Sequence, residues 1–342
     1  MINEEHKNPL ASVIVLNWNG KRFLNKCIAS LLNQNCCDYE VLFVDNGSVD
    51  NSIEFVRSHF GDNPRLRIID LGYNYGFSKG NNLGMSHALG KYLIMLNNDT
   101  EVEPNFVSEL VAVAEADRTI GSVSCKILYY DGSTWFGQYF THGGFIVPFF
   151  MQAFARDLLN EIYTHPSTNL ANSGCAVLYR SELIAKIGGF DEDFWTDWED
   201  YDLGFRTNIS GYRSVYIPLP LVLHLGGGSA GSSPKRFVRV YKNMLSTYFK
   251  NYNSTNLVFR FPFVMFLFVP SMHIGWFIHR LVTRPPDFCR GKEAEYVTTL
   301  AKGFFGFLKN LRVYAKKRYI IQNLRRVSDR NIFKNTEVNH IL

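Results

Sequence analysis

The sequence predicts an α/β fold with a mainly parallel central sheet covered by helices on both faces. Three observations carry that prediction. Apolar runs too short for core helices recur at Ser12–Leu16, Glu40–Val44, Leu66–Ile69 and Tyr92–Leu96, as in strands buried on both faces. Helical spacing separates them, which is the alternation of a parallel sheet. Each run ends in polar residues, and in open α/β sheets ligands bind in the crevice at the carboxyl ends of the strands.

The elements follow in order. After Ser12–Leu16 come Asn17-Trp18-Asn19-Gly20, then Phe23, Leu24, Cys27, Ile28, Leu31 and Leu32 at helical spacing. Glu40–Val44 ends on Asp45-Asn46-Gly47-Ser48, with a helix predicted from near Asp50. Beyond Leu66–Ile69, the polar loop Asn74–Asn82 enters a helix running to about Leu89. The central strand, Tyr92–Leu96, stops on Asn97-Asn98-Asp99, and Pro104 starts a helix to Ala116, since proline suits the first helical position. Residues 121–172 mix Gly132, Gly137, Gly143 and Gly144 with aromatics and read as irregular loops. A strand at Gly174–Tyr179, a helix at Ser181–Ile187, a strand at Val215–Pro218 and a short apolar run at Val222–His224 complete the pattern. No GxGxxG joins a strand to a helix in the first four units, and there is no GxxxxGK[ST], so neither a standard dinucleotide fingerprint nor a P-loop is present.

Charge divides the chain in two. Residues 1–233 hold 16 Lys and Arg against 26 Asp and Glu, a net of −10, whereas residues 234–342 hold 20 against 5, a net of +15. That asymmetry predicts an acidic catalytic domain over 1–233 and a basic, aromatic-rich helical region over 234–342 that meets something anionic. The six cysteines form no CxxC pair, and Met1–Lys7 lacks the apolar core of a signal peptide. Both features favour a reducing cytoplasm.

Several residues are candidates for chemistry. Asp99, at a strand end, either holds a hard divalent cation through oxygen or makes ordinary turn hydrogen bonds. His224 closes an apolar run before three glycines and is either a packed histidine or, with Asp99, a second metal ligand. The glycines after it suit a hinge for a lid. Four carboxylates fall within Asp197–Asp202. At helical spacing Glu199, Asp202 and Arg206 share a face, so one of the two acids pairs with Arg206. Asp200 points elsewhere and is left free.

The strand ends and the loops taken together carry a resemblance. Asn17-Trp18-Asn19, Val44–Ser48, Asn74-Tyr75-Gly76-Phe77, Gly80-Asn81-Asn82, Leu96–Asp99, Gly188-Gly189-Phe190-Asp191, Trp198-Glu199-Asp200 and His224 with its glycines span roughly residues 12–229. This series resembles family-two glycosyltransferases of the A-type fold, and is most similar to their rhamnosyltransferase-like bacterial branch. The resemblance implies that Asp45 accepts the imide N–H of a uracil or thymine base. It implies that Asn17, Asn81, Asn82 and Asn98 line the nucleoside and sugar-phosphate pocket. Asp99 and His224, with Asn97, would hold Mg2+ or Mn2+ on the diphosphate, and Asp200 would be the general base for an inverting transfer. The family's metal motif is commonly Asp-x-Asp. Asn97 at its first position supplies an oxygen but no charge, which implies a less strict metal dependence.

The partners expected on this reading are a nucleotide-diphospho-sugar donor, with dTDP-rhamnose leading, and a saccharide or lipid-linked acceptor in bacterial surface polysaccharide assembly. A nucleotidyltransferase of related fold is the rival enzyme, and a non-catalytic assembly protein is the rival outside catalysis. In the basic region, Leu257–Val282 is apolar and Phe-rich but carries Arg260, Pro262, Pro270 and His273, which favours lying in a membrane interface over spanning it. Residues 306–334 hold nine Lys or Arg against Asp329 alone. Attraction to an anionic membrane surface is expected rather than nucleic-acid binding, because no nucleic-acid module accompanies the patch. The expected location is peripheral, on the cytoplasmic face of the bacterial inner membrane.

Overall fold

The structure is a computed structural model that describes residues 8–36, 38–133, 164–225, 233–263, 265–266 and 293–335. Four βα units open the chain. Strand β1 (Ala11–Asn17) leads to helix α1 (Lys21–Leu32), and β2 (Tyr39–Asp45) to α2 (Ser52–Phe60). Strand β3 (Leu66–Asp70) then leads to α3 (Gly76–His87), and β4 (Tyr92–Asn97), through the short β5 (Thr100–Val102), to α4 (Phe106–Ala116). These strands pair in parallel in the order β3-β2-β1-β4. Alternate side chains go to opposite faces. Val13, Val15 and Phe43 pack with Leu24, Ile28 and Phe106 of α1 and α4. Ile14, Val44 and Met95 pack on the other side with Met85 of α3.

Past β4 the sheet becomes mixed. Strand β6 (Ile120–Tyr129), the short β7 (Ser167–Asn169), β8 (Ala176–Arg180) and β9 (Arg213–His224) complete a nine-stranded sheet. Strand β8 runs antiparallel to both β4 and β6. Its start therefore lies at the same edge as the carboxyl ends of β1, β2 and β4. The two separate runs expected at Val215–Pro218 and Val222–His224 form one strand, β9. Its pairing with β6 shifts register between Cys125 and Lys126, opposite Pro218–Pro220, as suits residues lacking a ladder N–H. The irregular loops expected over 121–172 are corrected at both ends, where the mostly buried run Ile120–Tyr129 forms β6 and Ser167–Asn169 forms β7; residues 134–163 lie outside the described residues.

Helix α5 (Ser181–Ile187) and a 3-10 turn (Glu192–Phe194) lead to α6 (Glu199–Ile209). Helix α6 is buried on two sides. Leu203 joins the sheet-face core, while Phe205 and Ile209 join a second core built by the rest of the chain. That second core consists of α7 (Pro234–Asn251), α8 (Ser254–Phe263), α9 (Glu293–Lys309), α10 (Leu311–Asn323) and α11 (Asp329–Asn335). Tyr241, Leu245, Tyr248, Phe307 and Tyr314 fill it.

The basic residues of this region are not all solvated. Lys250 is 1% exposed and its ammonium reaches Asp191 and, at 2.8 Å, Asp202. Lys317 pairs with Asp191 and, at 2.6 Å, with Asp193. Arg325 pairs with Asp329 at 2.7 Å. Among the described residues, no helix is long and apolar enough to cross a membrane. Of the apolar run Leu257–Val282, residues 264 and 267–282 lie outside the described residues.

Candidate active site

The sheet aligns the polar strand ends. Asn17 of β1 stands opposite Asp45 of β2, Asp45 opposite Asp70 of β3, and Leu16 opposite Asn97 of β4. A hydrogen-bond chain runs along this edge. Asn98 Nδ2 donates to Asn17 Oδ1 at 2.6 Å, and Asn17 Nδ2 donates to Asp45 Oδ2 at 3.0 Å. The other Asp45 oxygen accepts from the Ser48 N–H at 2.7 Å. Gly20 lies directly beneath the chain: a Cβ there would meet Asn98 Nδ2 at 2.1 Å and Asn17 Oδ1 at 2.5 Å. Glycine is thus required by close approach rather than by its backbone angle.

Asp45 itself is fully buried within this network. Asn81 is also buried, and donates to the carbonyl of Phe77 one turn earlier. Asn82 bonds Phe190 twice, donating to its carbonyl and accepting from its N–H, both at 2.9 Å. It thereby ties α3 to the Gly188–Asp191 turn. Asn46, to which the sequence reading gave no role, does similar work: it bonds Asn74, the Gly76 carbonyl and the Tyr75 N–H. A buried amide in a strand-end motif was the available signal.

Beyond β4 the chain presents Asp99 and, from β9, His224. Their strands pair antiparallel with Thr100 opposite His224, and Asp99 Oδ1 lies 3.3 Å from His224 Nε2. Both side chains are buried. Burial pushes the imidazole pKa down, against an opposing pull from Asp99. A neutral imidazole beside a carboxylate suits a divalent first-row cation or Mg2+, so these two residues fit a metal. Among the described residues no third His, Cys, Asp or Glu joins them. The remaining ligands would come from Asn97, water or phosphate oxygens. The glycines following His224 lie outside the described residues.

The reversed β8 brings Asp200 to this edge. The carbonyl of Cys175 accepts from Asn97 N at 2.9 Å, and the neighbouring Gly174 N–H donates to Asp200 Oδ2 at 3.2 Å. The other Asp200 oxygen accepts from the Tyr201 N–H at 2.8 Å. Asp202 takes the ionic partners: Arg206 at 2.9 Å and Lys250 at 2.8 Å. Among the described residues no cation pairs with Asp200. Burial raises its pKa, the Gly174 and Tyr201 N–H groups oppose that, and the Asp197 charge adds to the rise. The pKa of the adjoining Glu199 is raised well above its ordinary value, first by burial and then by the Asp200 and Asp197 charges.

A sheet of this topology, with a carboxylate–imidazole pair and an acid lacking a cationic partner among the described residues at one edge, has the glycosyltransferase A-type fold. The comparisons agree. The chain belongs to glycosyl transferase family 2, whose profile matches residues 12–188. It is 25% identical to N-acetylglucosaminyl-diphospho-decaprenol L-rhamnosyltransferase of Mycobacterium tuberculosis, over 77% of this chain and 85% of that one. It is 29% identical to the O-antigen biosynthesis protein RfbC of Myxococcus xanthus over 63% of this chain, but spans only 17% of RfbC. The fold superposes on mannosyltransferase PcManGT of Pyrobaculum calidifontis, solved with GDP-Man and Mn2+. The TM-score is 0.56 at 15% identity, covering 93% of this chain and 88% of that one.

Proposed function

We propose that the chain transfers a sugar, with inversion, from a nucleotide-diphospho-sugar to a hydroxyl of a saccharide or lipid-linked acceptor in bacterial surface polysaccharide assembly. The observation that carries this is Asp200, a carboxylate held without a cation at the edge where β1, β2 and β4 end. It takes the acceptor O–H proton as the oxygen bonds the anomeric carbon and the carbon–phosphate-oxygen bond breaks, releasing a nucleoside diphosphate. Asp99 and His224 are the residues that would hold Mg2+ or Mn2+. Such a cation, when bound, stabilises the charge that builds on the leaving diphosphate. The Asn98–Asn17–Asp45 chain holds the strand ends against which the nucleoside sits.

L-Rhamnose from dTDP-rhamnose is the leading donor, supported by the rhamnosyltransferase relative. The acceptor reading puts the chain peripherally at the cytoplasmic membrane face. Exposed Val258, Phe259 and Phe263 on α8, and Phe305 and Leu308 on α9, support it, as do exposed Lys302, Lys309, Arg312 and Lys316. Product analysis with dTDP-rhamnose, UDP-N-acetylglucosamine and GDP-mannose against lipid-linked acceptors tests the proposal. Transfer from dTDP-rhamnose with an inverted anomeric centre is the expected result. Retention, or release of pyrophosphate, contradicts it.

A further inference from the structure

The segment that leads into α6 is strained. Trp195, Asp197 and Trp198 have φ of 64°, 70° and 73°, a region that residues with side chains occupy at a cost and that surrounding contacts must enforce. Those contacts come from α7. Arg236 donates twice to Asp197 Oδ1, at 2.8 and 2.9 Å. Arg239 donates twice to Oδ2, at 2.8 and 3.2 Å. The Asp197 side chain is 10% exposed, so the pairs are shielded from solvent on its side. One turn on, Asn243 Nδ2 is shared among the carbonyls of Phe194, Thr196 and Asp197 at 2.8–3.1 Å.

The segment also reaches the donor side of the crevice. The Trp195 carbonyl accepts from Ser78 N at 3.0 Å. Its indole lies so close to Gly76 that an added Cβ would meet the ring at 2.6 Å.

We propose that Arg236 and Arg239 are positioning residues: through Asp197 they hold the Trp195–Trp198 segment so that the first turn of α6 presents Asp200 to the acceptor hydroxyl. The inference rests on the reading of Asp200 as the base. Helix α6 has separate anchors further along, in Phe205 and Ile209 and in the Asp202 pairs with Arg206 and Lys250. Releasing the clamp leaves Asn243 on the segment's carbonyls but removes its side-chain anchor, which loosens the first turn while the remainder of the helix stays docked. Asp200 accepts from backbone N–H groups, those of Gly174 and Tyr201 among them, and from no cation among the described residues, so its carboxylate moves with that turn.

The test compares Arg236→Gln, Arg239→Gln, their double variant, Asp197→Asn and the triple variant. Turnover is read as nucleoside diphosphate release from whichever of dTDP-rhamnose, UDP-N-acetylglucosamine and GDP-mannose the wild-type chain uses. Binding of dTDP and UDP with Mn2+ is read by calorimetry. The double variant is expected to lose about 10- to 100-fold in kcat, the scale of a displaced reacting group, with nucleotide affinity unchanged. Asp197→Asn should match it, and the triple variant should be no worse, since all three act as one unit. Should the double variant not fold, each single variant is still expected to lose part of kcat at an unchanged melting temperature. Single variants or Asp197→Asn at the wild-type rate, losses that multiply in the triple, or a parallel loss of nucleotide affinity would overturn the clamp. Asp200→Asn is the control. If it turns over normally, the base reading fails; if it is inactive while the clamp variants are active, the clamp alone fails.

Discussion

Asp99 Oδ1 and His224 Nε2 lie 3.3 Å apart because β5 and β9 pair, although the two residues are far apart in the chain. The pairing thus brings an oxygen and a nitrogen donor to one point of the edge. We expect Asp99→Ala and His224→Ala each to weaken Mn2+-dependent binding of dTDP or UDP while leaving thymidine or uridine binding unchanged. The loss should be at least the roughly 10- to 100-fold that even outer-shell partners of metal sites are worth. Calorimetry of nucleotide against nucleoside checks this. Wild-type turnover indifferent to a chelator would refute the metal role.

The buried Lys250 sets a second expectation. Removing one member of a buried, hydrogen-bonded ion pair costs about 3–5 kcal/mol. Asp191 and Asp202 retain Lys317 and Arg206 as partners, so Lys250→Met should fall at the low end of that range in urea unfolding. A loss below about 1 kcal/mol, the scale of an exposed pair, would contradict the assignment.

The same cluster makes stability depend on acid. Burial pulls the Asp191 and Asp202 carboxyls up, but Lys250, with Lys317 or Arg206, outweighs it and holds both below the usual range. A depressed folded-state pKa contributes stability that is full above the unfolded value of about 3.9 and lost as pH falls from there toward the folded value. The wild-type urea midpoint should therefore drop steeply below about pH 4, and less steeply in Lys250→Met. Parallel profiles would show that the lysine does not set the shift.

Asp200 has the opposite sign. Its pKa is raised, by burial first, and a base must be ionised to act. The acid limb of kcat/KM should accordingly lie above the ordinary Asp value of about 3.9. A profile flat down to about pH 4 would remove Asp200 from the rate equation.

For the membrane, the exposed apolar residues of α8 and α9 and the exposed lysines should act together. Each basic residue near an anionic surface adds about 1 kcal/mol. The chain should sediment with anionic vesicles, less with neutral ones, and less after Phe259→Ser with Phe263→Ser. Binding indifferent to lipid charge and to both substitutions would sink the idea.

Much of this was legible in the sequence. The strand ends Asn17, Asp45 and Asn97–Asp99 sit at one edge as alternation and polar termination foretold, and Asp202 rather than Asp200 takes Arg206. Helical spacing suffices for that, because it is local. The reversed direction of β8 was not legible, since a short apolar run reads the same in either direction. Nor was the inward use of the basic region. Lys250, Lys317, Arg236 and Arg239 look like solvated charge until α7 and α10 are docked on α6, and only tertiary contact shows that Asp191 and Asp197 await them. The consequence is practical. A cut near Asn256 would strip Lys317 from Asp191 and the cover from α7.

Asp200→Asn tests most directly whether Asp200 removes the proton from the acceptor. The amide keeps the shape and can still accept from Gly174 N, but it cannot take up the proton. With dTDP and UDP binding held at the wild-type level as measured by calorimetry, transfer should fall by about 10²–10⁴-fold, the usual worth of a general base. Transfer by Asp200→Asn at close to the wild-type rate would contradict the account.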